Sequence, residues 1–187
     1  MNYYENSLRG ATAFVAGSEI VEKKEWDEYV KSIAIVDKES GIKGIALITP
    51  KNGNNSSHTY IYPDTIKYLD IENIISHSML ESIFFMATTA EHTALSPVIN
   101  IHGVNISFLI TGVQKNEHFI GWIVAPVDMG QFFKSISEKR YQDIDIDIYD
   151  GHSIIGSNKI YSKVVDRRLR GKTNRPDLLS TLIPGGR

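Results

Sequence analysis

Cysteine is absent from the 187 residues. That excludes a disulfide framework and any thiolate metal site. A strong charge of either sign is also lacking. The formal net charge is -2, so nothing global points to nucleic acid or to an acidic surface as partner. Long hydrophobic runs are missing too. The longest apolar patches, such as residues 82–90, are far too short to cross a bilayer. Met1-Asn2-Tyr3-Tyr4-Glu5-Asn6 has no basic region followed by an apolar run. There is no internal repeat and no low-complexity tract. What remains is 42% hydrophobic and 22% charged, a globular composition rather than a disordered one. The length suits one ordinary domain or two small subdomains sharing a spine.

The common catalytic and metal signatures are missing as well. None of the six histidines (His58, His77, His92, His102, His118, His152) forms an i, i+4 pair, and no His-Glu-x-x-His occurs. Asp143, Asp145, Asp147 and Asp150 sit at near-calcium-loop spacing. Isoleucines occupy the positions between the first three, and no glutamate closes the loop. Alternating Ile and Asp instead describes a strand with one wet face. Gly151-His152-Ser153-Ile154-Ile155-Gly156 misses the hydrolase elbow because its second glycine comes one residue late. No phosphate loop and no dinucleotide fingerprint is present. Arg167, Arg168, Arg170, Lys172 and Arg175 form a basic run with no aromatic interleaved. It offers no base-stacking platform and reads as a solvated face, with anionic headgroups as partner if it lies near a membrane. No catalytic residue, metal or cofactor is therefore expected.

Periodicity supplies the elements. Leu8, Ala11, Phe14 and Val15 share one helical face over residues 3–17. Trp26, Tyr29, Val30 and Ile33 do the same over residues 23–36. Residues 44–49 form a short apolar strand, 50–59 a polar loop, and Tyr60-Ile61-Tyr62 a strand ended by Pro63. Residues 71–89 read as a helix, with Asp70 either just before it or capping it. Strands follow at 96–101, 104–113 and 119–127, with His102-Gly103 and Lys115-Asn116-Glu117 as turns. A short amphipathic helix covers 131–136. Ile144, Ile146 and Ile148 mark a strand, and Asp150-Gly151 turns into residues 153–155. Strands joined by short turns, with helices around them, predict an α+β fold of antiparallel sheets.

Several stretches, in order, resemble the CHASE family of sensory domains, which lie outside the membrane in histidine kinases and nucleotide cyclases. They are Leu8 to Val15 with Ser18-Glu19-Ile20-Val21; Trp26-Asp27-Glu28-Tyr29; Gly41 to Ala46; Leu95-Ser96-Pro97-Val98; Phe119 to Val127 with Phe132-Phe133; and Ile148-Tyr149-Asp150. The resemblance spans roughly residues 8–151. It implies a long N-terminal helix (within 1–40) carrying two PAS-like sheets. One would be a membrane-distal ligand subdomain at 41–128, the other a membrane-proximal subdomain at 129–187. It further implies an extracytoplasmic, periplasmic location, with transmembrane helices flanking this stretch in the complete receptor.

The expected activity is small-molecule sensing without catalysis, the ligand shifting the membrane-connected helices. The pocket is expected on Tyr62, Asp70, Phe108, Ile110, Gly121 and Trp122. Asp70 is similar to an acidic residue that contacts the ligand in cytokinin-binding relatives. The helix of residues 3–17 is expected either to pair with a second copy in a parallel homodimer or to pack on its own sheet. The competing readings are a ligand-free dimerisation or spacer module and a small cytosolic enzyme.

Overall fold

A computed structural model describes residues 2–36, 41–50, 58–66, 78–89, 93–141, 143–151 and 159–165. Helix α1 (Asn2–Gly17) lays Leu8, Ala11 and Val15 into the core, where they are 0%, 0% and 5% exposed. Gly10 lets the Tyr29 ring come close, since a Cβ there would lie 2.9 Å from Tyr29 Oη. At the helix end, Ser18 Oγ donates to Phe14 O (2.8 Å). Lys115 Nζ donates to Ser18 O (2.7 Å), which sets a cation at the negative end of the helix dipole. Helix α2 (Lys23–Ile33) opens on a reciprocal capping box between Glu22 and Glu25 and stops at Ala34 in the left-handed region (φ 49). The periodic stretch predicted to reach residue 36 ends there for that reason.

The next strands are β1 (Ile45–Thr49), β2 (His58–Tyr62), β3 (Ala94–Leu95), β4 (Ile99–Ile101), β5 (Val104–Lys115) and β6 (His118–Asp128), with helix α3 (Ser78–Thr89) between β2 and β3. They form one antiparallel sheet in the order β2-β1-β6-β5-β3, with β4 also beside β5. Both predicted turns are present. His102 and Gly103 have φ 51 and 82, and Asn116 and Glu117 have φ 50 and 65. Two positive φ angles in succession match the right-handed twist of the flanking strands. Of the stretch predicted as a strand at 96–101 only Ile99–Ile101 (β4) is one; Ser96-Pro97-Val98 separates it from β3, which lies just before the predicted start.

The sheet is covered on both faces. On one, α1 and α2 pack Leu8, Ala11, Val15, Trp26 and Val30 against Ile45, Leu47, Val113, Ile123 and Ala125. On the other, α3 packs Leu80, Phe84 and Ala87 against Ala46, Ile48, Ile106, Phe108, Ile110 and Val124. The strand period of two explains the split. The expected dimer stripe is thus consumed by the chain's own sheet, because a 100-degree helical stripe cannot face both a core and a second copy.

Helix α4 (Met129–Arg140) follows β6 directly. Asp128 is its N-cap, accepting from Gln131 N (2.9 Å) while pairing with Lys43 Nζ (3.2 Å). Strands β7 (Ile146–Tyr149) and β8 (Lys159–Lys163) form a small antiparallel sheet. Ser137 and Tyr161 hydroxyls bond it to α4 (2.6 Å), and Val98 N donates to Asp150 Oδ2 (3.1 Å) across from the first sheet. Strand β8 takes the place facing β7; the stretch at 153–155, predicted for it, lies outside the described residues. The Asp147 carboxyl is held below its usual range by hydrogen bonds from Ser162 and Lys159. The architecture is α+β with antiparallel sheets, as the strand-and-turn pattern predicts.

Candidate ligand-binding site

The α3 face of the sheet is built from alternating positions of adjacent strands. Phe108 and Ile110 on β5 are fully buried. Trp122 on β6 lies opposite Gly112 and packs against the same cluster. These three expected site residues are brought together. The helix reaches the sheet closely because position 112 has no side chain: a Cβ on Gly112 would lie 2.2 Å from Ala87 O. At the edge of this face, one Trp122 N–H is shared between Phe84 O (3.2 Å) and Thr88 Oγ1 (3.1 Å). The Trp122 ring meets Phe84 edge-on at 5.3 Å and Phe119 at 4.7 Å. Phe84 and Thr88 are four residues apart, so they share one helical face. That spacing is the signal by which sequence reasoning could have found this anchor.

The other expected residues are placed differently. Tyr62 packs with the α1 and α2 cluster on the opposite face, and its neighbour Ile61 faces α3. Gly121 approaches backbone rather than an open space: its Cβ would lie 2.4 Å from Ile48 O on β1. The β5–β6 register shifts beside it, between Val113 and Gln114, which leaves Ile120 as the extra residue. Both therefore leave the set of side chains that could touch a ligand under α3. Asp70 lies outside the described residues, as do His77, His92, His152 and the basic run from Arg167.

Chemically, this face offers a broad apolar floor with an aromatic rim. Its one indole donor is already satisfied by Phe84 O and Thr88 Oγ1. Among the described residues no group of three or more His, Asp or Glu could hold a metal ion. Among them, too, no helix is long and apolar enough to cross a membrane.

No family model and no curated protein matches the chain. Solved structures do. One is the ligand-binding domain of the Pseudomonas fluorescens chemoreceptor CtaA in complex with L-isoleucine. Its TM-score is 0.52 at 14% identity, covering 76% of this chain and 54% of that one. Another is the ligand-binding domain of the Pseudomonas aeruginosa PAO1 amino acid chemoreceptor PctC in complex with GABA. Its TM-score is 0.51 at 8% identity, covering 76% of this chain and 61% of that one. The chain thus spans between half and two thirds of the length of each. At these identities the likeness is one of fold: helices on a PAS-like antiparallel sheet. It is not specific to the CHASE family.

Proposed function

We propose that the chain is the small-molecule-sensing part of a transmembrane receptor, lying outside the cytoplasm, and that its ligand is received between the sheet and the segment containing α3. The observation that carries this reading is the fold shared with two chemoreceptor ligand-binding domains. The compounds in those complexes, L-isoleucine and GABA, are small molecules with an ammonium and a carboxylate. A small amine-bearing ligand is accordingly the proposed class here. Phe108, Ile110 and Trp122 would contact its apolar body. Asp70, eight residues before α3 begins, would accept its N–H groups through a charge-assisted bond. Tyr62 and Gly121 support the sheet from behind.

Membrane helices in the complete protein would continue from the two ends of this stretch, with the 41–128 unit distal and the following unit proximal. A ligand shifts such helices only by binding one arrangement more tightly than another. The domain itself binds and does not catalyse.

The test is a thermal-shift panel of free amino acids, GABA and small amines on the wild-type chain and on Asp70→Ala. At one hundred times its dissociation constant a ligand adds about 2.7 kcal/mol. For a domain of this size that raises the midpoint by roughly 5–10 °C. The shift should shrink or vanish in Asp70→Ala. A shift that survives intact would remove Asp70 from the ligand's contacts.

A further inference from the structure

A cleft of about 150 Å³ lies on the other face of the sheet, where the start of α1, the start of α4 and the strands meet. Its walls are mostly apolar: Ile42, Leu109, Val127, Met129 and Phe132, with Leu95 at the mouth, 45% exposed. The rings of Tyr4 and Phe132 stand 6.1 Å apart beside it. Besides the Tyr4 phenol, two polar side chains line it among the described residues. The Thr93 hydroxyl is engaged with the Thr111 hydroxyl (2.7 Å). Glu5, half-buried, is the one carboxylate on the walls among the described residues, and its side chain makes no hydrogen bond or ion pair with them.

We propose that this cleft is a second binding site, taking a compact apolar amine. The volume is that of a cavity that accepts benzene. The apolar walls reward a hydrocarbon body. A carboxylate without a partner among the described residues, next to aromatic rings, selects a cation over a neutral or anionic head. Because α1 and α4 both contribute walls, an occupant ties the first turns of one helix to the first turn of the other. This site is on the opposite face from the one proposed above and does not rest on that reading. Glu5 also has an ordinary role available, as an acid in the first turn of α1, and the experiment separates the two.

Benzylamine and toluene are titrated into the folded chain while methyl resonances are followed by NMR. Saturable shifts are expected at Ile42, Leu95, Leu109 and Val127 with both probes. Glu5→Gln should weaken benzylamine roughly two- to fivefold, the range of an incompletely buried ion pair, and leave toluene unchanged. Leu95→Phe, at the half-exposed mouth where a larger ring can be accommodated, should weaken both probes. Equal benzylamine affinity in Glu5→Gln would overturn the amine assignment and leave Glu5 as a helix-end charge. Absence of saturable shifts, or shifts confined to Ile106, Ile110 and Val124 on the α3 face, would overturn the site itself.

Discussion

Trp122→Phe tests whether one side chain holds α3 onto the sheet. The indole N–H is shared between two acceptors at 3.1 and 3.2 Å, so its loss removes about one net hydrogen bond, worth roughly 1 kcal/mol. Neither acceptor is stranded, because Thr88 Oγ keeps its own bond to Phe84 O (2.8 Å). The smaller ring leaves on the order of 40 Å³ unfilled, which at ~24 cal/mol per Å³ adds at most about 1 kcal/mol. Partial exposure of Trp122 lowers that second figure. The edge-on contact with Phe84 is largely retained by a phenyl ring. The expected cost is therefore about 1–2 kcal/mol in urea unfolding, with faster amide exchange over residues 84–89. A change below about 0.5 kcal/mol, with exchange in α3 unaltered, would refute the idea that Trp122 anchors the helix.

Leu8→Ala should cost about 2–5 kcal/mol, as for any fully buried leucine, without changing the sedimenting mass. A lowered mass at constant stability would instead make the α1 stripe an intermolecular contact. Gly112→Ala puts a methyl 2.2 Å from the Ala87 carbonyl and should cost about 1–3 kcal/mol or more, read from the urea midpoint. Substitution at Gly103, whose Cβ would meet nothing within 4 Å, should lose only the backbone term. Burial raises the Tyr29 hydroxyl above the ordinary tyrosine value. Its contribution is thus complete below the unfolded pKa near 10 and is lost as pH rises through the folded value. Stability should fall above about pH 10, and Tyr29→Phe should flatten that fall; an unchanged alkaline slope would refute the assignment.

Most of the sheet was legible because its turns announce themselves. His102-Gly103 and Asn116-Glu117 adopt positive φ angles, and the strands run up to the second turn, β5 to Lys115 and β6 from His118. The α1 stripe was legible as a buried face, but periodicity does not say what buries it. Ile45, Leu47 and Val113 of the chain's own sheet do. The site was half legible. Phe108 and Ile110 share parity on β5, so they had to face the same way. Gly121 and Trp122 are consecutive on β6 and could not both face a ligand. The parity of Tyr60-Ile61-Tyr62 is hidden because all three are large and apolar, and only pairing with β1 (Ile45 with Tyr62) assigns them. The bulge at Ile120 is equally silent in composition, since it depends on how β5 and β6 are twisted together.

The central claim is that a small ligand is sensed beneath α3, and the chain contains only two tryptophans with which to watch it. Trp26, on α2, is fully buried against the far face. In Trp26→Phe, with the fold verified by circular dichroism, Trp122 becomes the sole indole reporter and stands at the rim of the proposed pocket. Titrating free amino acids and small amines should then give, for at least one compound, a saturable change in Trp122 emission that is lost in the added Asp70→Ala variant. A panel in which no compound alters Trp122 emission, or in which every binder registers only at the methyl groups of the α1–α4 cleft, would contradict sensing at this face.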